Sequence, residues 1–240
     1  DGVVAVAGND IFFSQDGTSY LQINKASVDA SGDNFSTFSG RSELSLTSID
    51  QCEFALFEGT SDYGELVITD KSGNNKPFLF KMTGTSAVLS SRTFFVSQIT
   101  ISGSKTAKFC TIHDNHLVVA GDPSTPNTIY YSGTSDIDDF TTSGSGSIKL
   151  DDQVVGLKSF REDLIIFCRN SIWKLSNINA TISVAPITKN IGCLDGKSIQ
   201  EIGGDLVFLA PDGIRTLAGT VRIGDVELGT VSRSIQPIMK

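Results

Sequence analysis

Two histidines, His113 and His116, are the residues nearest to chemistry, since imidazole serves as metal ligand and as general base near neutral pH. Placed on one strand, residues three apart point to opposite faces, which spoils joint ligation of a metal. A Ser-His-Asp hydrolase would need one of the two, yet no Gly-x-Ser-x-Gly elbow occurs to present a nucleophilic serine. Asp136, Asp138 and Asp139, and again Asp151 and Asp152, suggest calcium. Neither group has the Asp-x-Asp-x-Asp-Gly spacing with a distal Glu that wraps such an ion, so solvated loop carboxylates are expected. Cys52, Cys110, Cys168 and Cys193 lie beside apolar residues without Cys-x-x-Cys spacing, the pattern of buried free thiols. No catalytic, cofactor-binding or metal-ligating residue is therefore assigned, no cofactor is expected, and the chain reads as a non-enzyme.

The elements that would position such residues are strands. In the stretch 115–140 an apolar run ends at Ala120-Gly121, a turn carries Pro123 and Pro126, and a second run ends at Tyr131-Ser132. β-Branched and aromatic residues on either side of prolines that cannot join a central ladder make a β-hairpin. The hairpin recurs at 3–14, 65–82, 164–176 and 206–217. With Ile11, Phe78, Ile129, Ile172 and Ile214 as equivalents, the interval shortens toward the ~40–50 residues of a propeller blade, and Ser/Gly-rich insertions such as Ser27–Thr47 lengthen the early copies.

Short runs ahead of the later hairpins, at 154–157 and 198–202, supply further strands, and 93–103 reads as an extended connector. Phe160, Leu164, Cys168, Ile172 and Leu175 also approach a helical spacing, but Arg169-Asn170-Ser171 falls where the other copies turn. Strands are favoured there. The expected fold is an all-β propeller of antiparallel blades with about four strands each. One domain spans 1–240, with repeats at roughly 1–50, 51–103, 104–153, 154–197 and 198–240, five blades of a ring of six or so. Apolar second strands with little polar alternation must be covered on both faces, as blades stacked around an axis do and a two-sheet sandwich does not.

At 240 residues and 25.6 kDa the chain can bury roughly 70% of its unfolded surface. The net charge of −8 argues against a nucleic-acid-binding surface, although a polyanion could slide past an acidic wall. No apolar run approaches the ~20 residues of a spanning helix, so no membrane insertion is expected. The sequence opens on Asp1 inside an apolar run, as a fragment of a longer polypeptide would.

Two resemblances follow. Ser14-Gln15-Asp16-Gly17-Thr18-Ser19-Tyr20 is similar to the Asp-box turn of sialidase-type propellers, with Gly directly after Asp and Tyr in place of the final Trp. It supports, as the alternative reading, a carbohydrate-binding or sialidase-like glycan-cleaving propeller. A broader resemblance covers most of 50–237. Ala120-Gly121-Asp122-Pro123 with Tyr131-Ser132 and Phe140, the Ile191-Gly192-Cys193 step, Asp212-Gly213-Ile214 and Ser232 with Ile235 resemble the tail nozzle family of short-tailed bacteriophages, also called tail tubular protein B or head–tail stabilization proteins. These are turn and packing signatures. The resemblance implies a structural virion protein, assembled in the host bacterial cytoplasm and resident in the virion tail. It implies a homo-oligomeric ring, usually a hexamer, bound to portal and adaptor proteins and to tail fibres, with viral DNA passing transiently through its channel.

Overall fold

The computed structural model describes residues 3–7, 10–14, 21–22, 52–59, 64–83 and 93–218. The Ser27–Thr47 insertion, the centre of the Asp-box-like stretch and Ser232–Ile235 lie outside them. The fold is all-β and propeller-like, five antiparallel meander sheets in which every hydrogen-bonded neighbour is consecutive in the chain. Blade 1 comprises β1 (Val3–Ala7), β2 (Asp10–Ser14) and β3 (Leu21–Gln22). Blade 2 comprises β4 (Cys52–Phe57), β5 (Glu65–Asp70), β6 (Phe78–Thr83) and β7 (Thr93–Gln98). Blade 3 comprises β8 (Phe109–His113), β9 (His116–Ala120), β10 (Thr128–Tyr131) and β11 (Gly146–Lys149). Blade 4 comprises β12 (Val154–Phe160), β13 (Asp163–Cys168), β14 (Ile172–Ser176) and β15 (Ser183–Thr188). Blade 5 comprises β16 (Gln200–Ile202), β17 (Asp205–Ala210) and β18 (Gly213–Thr216).

The five repeated hairpins are β1–β2, β5–β6, β9–β10, β13–β14 and β17–β18. The helical alternative over 160–175 is absent: Phe160 ends β12, Leu164 and Cys168 lie on β13, and Ile172 and Leu175 on β14. One expectation is corrected. Residues 93–98 are no connector but the fourth strand of blade 2, paired with β6 from Phe78↔Gln98 to Thr83↔Thr93. Only 99–108 crosses to blade 3.

The core explains why second strands lack polar alternation. Side chains on a strand point alternately to its two faces. Leu164, Ile166 and Cys168 of β13 enter the seam with blade 3, packing among Val118, Ala120, Ile129 and Trp173. Ile165 and Phe167, one residue out of step, enter the seam with blade 5 among Cys193, Leu206 and Phe208. Strand β9 divides in the same way, Leu117 and Val119 facing blade 2 while Val118 and Ala120 face blade 4. Strands β9 and β13 therefore each serve two cores, β9 buried along its whole length and β13 from Leu164 to Cys168.

First strands neighbour one another, β4 against β8 and β8 against β12, as the innermost strands around an axis must. The blades share both rims. At the upper rim, which holds the turns between second and third strands, Val154 N donates to Pro126 O and Leu194 N to Leu209 O, each 2.9 Å. At the lower rim, Asn179 Nδ2 donates to Asp114 O at 3.0 Å and Arg161 to Gly204 O at 2.8 Å. No helix among the described residues is long and apolar enough to cross a membrane.

Candidate functional site

Polar residues gather in the seams and at the two rims, and the histidines show how. His113 ends β8 and His116 begins β9, directly opposite each other across the two-residue turn Asp114-Asn115. Both turn residues have positive φ, 47° and 64°, which Asp and Asn tolerate and which a primed hairpin turn requires. The expectation that the histidines point to opposite faces is thereby corrected. It assumed one continuous strand, whereas partners across a hairpin share a face.

They do not converge on a metal. His116 Nδ1 lies 2.6 Å from Ser132 O and its Nε2 2.9 Å from Asn179 Oδ1. His113 Nδ1 lies 2.9 Å from Ser159 Oγ, while its buried Nε2 stands 3.8 Å from Asp114 Oδ2 and makes no hydrogen bond. Burial lowers the His113 pKa against the pull of Asp114 and Asp163. Ser159, His113 and Asp114 thus stand in a row, but the imidazole is sealed inside the blade 3–blade 4 seam, where it bonds β8 to β12. Among the described residues no three ligating side chains could hold a metal ion.

Of the aspartates expected to be solvated, Asp136, Asp138 and Asp151 are exposed, whereas Asp139 and Asp152 are half-buried and tie loops together, as does Asp122, which was not among them. Asp122 Oδ1 accepts Ser124 N at 2.9 Å and Thr125 N at 3.0 Å, and Oδ2 accepts Thr106 N at 3.0 Å. Burial works to raise its pKa, but the hydrogen bonds from Ser124, Thr106 and Thr125 outweigh it and hold the carboxyl far below the usual range. Asp152 reaches from one inter-blade loop to the next turn, accepting Asn170 N at 2.6 Å and Ser171 Oγ at 3.1 Å. Ser171 Oγ in turn accepts Trp173 Nε1 at 3.0 Å. Asp139 Oδ1 accepts both Thr141 N and Thr141 Oγ1 at 2.7 Å. Asp136 and Asp138 share a hydrogen bond that raises the Asp136 pKa. Asp151, exposed and 3.7 Å from Lys189, matches the solvated expectation, as do the exposed Asp136 and Asp138.

All four cysteines are free, three of them buried. Burial pushes the Cys52 thiol up to about 11 and those of Cys110 and Cys168 to about 12, so none is a thiolate nucleophile at neutral pH.

The sequence gives no hint of a cluster at the upper, axial end. Lys71, in the turn after β5, lies 3.1 Å from Asp195, which caps the 3-10 turn Gly196–Ser198 ahead of β16. One ion pair thus spans from blade 2 to blade 5. Beneath it Glu53 accepts Cys110 N at 3.4 Å. Burial raises the Glu53 pKa to about 7, opposed by that N–H and by Lys71 and Lys197.

A carboxyl whose folded pKa lies above its unfolded value (~4.3) stabilises the fold when protonated. That contribution is lost as pH rises through the folded value. Glu53→Gln should therefore flatten the fall in melting temperature between about pH 4.5 and 7, raising it most at the alkaline end, as thermal melts across that window would show. The same decline in both proteins would contradict the assignment.

Of the seven arginines, Arg41, Arg92, Arg222 and Arg233 lie outside the described residues. Arg161 sits on Phe160 at the lower rim, Arg169 lies in the β13–β14 turn at the upper rim, and Arg215 is buried against Asp212. These three do not meet.

No family model and no curated protein matches the sequence. Among solved structures the chain is similar to BBS1N in complex with ARL6DN, from a crystal soaked with lead, at 13% identity and a TM-score of 0.48, and from one soaked with mercury, at 14% and 0.47. It is covered to 90% in each and spans 60% and 59% of those chains.

Proposed function

We propose that this chain is a structural virion protein, a wall segment of the tail nozzle ring of a short-tailed phage, joined to portal, adaptor and tail appendages. The observation that carries this reading is where the nozzle-like residues sit. Gly121 and Asp122 shape the blade 2–blade 3 joint, with Lys108 N donating to Ala120 O and Thr106 N to Asp122. Gly192 and Cys193 form the blade 4–blade 5 joint, where Cys193 N donates to Cys168 O at 2.9 Å. Side chains committed to joints suit a passive wall.

DNA would not thread the propeller itself. Lys71 and Asp195 bring blades 2 and 5 within one ion-pair length at the axial end, and the major groove of a duplex alone is ~12 Å wide. The conduit would lie between copies. The expectation of an acidic lining would then apply to a ring surface, since inner strand β4 exposes Phe54 and Leu56. Mass spectrometry of purified particles should find this chain in several copies per tail; particles without it would overturn the reading. The alternative, a glycan-binding or glycan-cleaving propeller, predicts binding or turnover on a panel of sialosides and other glycans. The reading proposed here predicts neither.

A further inference from the structure

The described charges separate between the two rims. The lower rim exposes Glu58, Asp114, Asp136, Asp138 and Glu162 against one exposed cation, Arg161, which donates to Gly204 O. Its two lysines are already taken, Lys81 by Glu65 at 2.5 Å and Lys174 by Asp163 at 3.3 Å. Asp136 and Asp138 crowd each other, with Asp139 adding to the same negative field. The upper rim exposes four cations, Lys149, Arg169, Lys189 and Lys197, against two carboxylates, Asp151 and Asp195. Asp122 and Asp152 turn inward, accepting the backbone N–H groups of Thr106 and Asn170 in neighbouring segments, while the exposed Asp151 and Asp195 each face a lysine, Lys189 at 3.7 Å and Lys71 at 3.1 Å. Among the described residues the lower rim is thus net anionic and the upper rim net cationic.

We propose that the lower rim of one copy docks on the upper rim of a second copy of this chain. The inference rests on the ring reading above and specifies its contact. Two different faces of the same chain make a heterologous interface, which closes into a ring when the rotation allows and otherwise runs on as a filament. Propeller axes then run around the ring, leaving the conduit between copies. Opposed charges set register and speed encounter more than they add affinity, so the contact weakens when salt shortens the Debye length from ~10 Å at 0.1 M to ~3 Å at 1 M.

Sedimentation velocity of the purified protein at low and high salt tests this. The expected result is an oligomer that salt dissociates. A lower-rim variant, Asp138→Lys with Glu162→Lys, should be monomeric at low salt, and so should an upper-rim variant, Lys149→Glu with Arg169→Glu and Lys197→Glu. Mixing the two variants should restore association, because the first keeps the parental upper rim and the second the parental lower rim. Unchanged melting temperatures would show that both are folded. Variants that assemble like the parent would overturn the rim contact and leave the ring reading standing. A chain that stays monomeric at every salt and concentration would remove both. Retention on a polyanion resin without self-association would assign the upper rim to a polyanion and also overturn the proposal.

Discussion

Gly192→Ala is expected to cost ~3 kcal/mol of unfolding free energy, at the upper end of the usual overpacking range, or to prevent folding outright. A methyl group built on Gly192 collides with the carbonyl carbon and oxygen of Arg169 and with the amide nitrogen of Asn170. All three are backbone atoms, so no rotamer change relieves the overlap. The next residue donates Cys193 N to Cys168 O, so any retreat of the loop stretches the bond that ties blade 5 to blade 4. Urea unfolding reads the loss directly. Ser183→Ala, an exposed change on β15, should stay within ~0.5 kcal/mol and serves as the control. An alanine variant as stable as the parent would mean that the blade 4–blade 5 joint is looser than its geometry.

Phe167→Ala is expected to cost ~3–5 kcal/mol, the range for deleting a fully buried aromatic ring. Phe167 lies in the blade 4–blade 5 seam with its ring 5.2 Å from that of Phe208 at an interplanar angle of 59°. A double-mutant cycle between the two should return a coupling of ~0.5–1.5 kcal/mol. Phe167→Ala combined with Val118→Ala should be additive within ~0.5 kcal/mol, because Val118 belongs to the blade 3–blade 4 seam and the two share no cluster. Coupling of Phe167 to Val118 as strong as to Phe208 would contradict separate cores on the two faces of β13.

These seams were partly legible in the sequence. The runs Leu164–Cys168 and Leu117–Ala120 are too continuous for a half-solvated sheet, and that continuity, with Pro, Gly and Asn in the turns, carries the blade pattern. Turn chemistry also decided 160–175, where Arg169-Asn170-Ser171 outweighed a near-helical spacing. The misreadings came where a local rule met a non-local partner. The ladder partner of 93–98 lies across a connection that carries no tight-turn signal. His113 and His116 read as one strand because Asp-Asn, unlike Asn-Gly, is an inconspicuous hairpin turn. The Lys71–Asp195 pair joins two loops 124 positions apart, and an ion pair between exposed loops leaves no periodicity to find. The raised Glu53 carboxyl was equally invisible, because its burial is supplied by neighbouring blades.

The nozzle reading and the rim contact both place many copies of this chain around a shared bore. Electron microscopy of purified particles, with this chain located in the density, tests that arrangement most directly. The account predicts a ring of copies below the portal, each a propeller whose own axis is too narrow for DNA, with the duplex path between them. Density showing a single copy, or DNA running through the axis of one propeller, would contradict it.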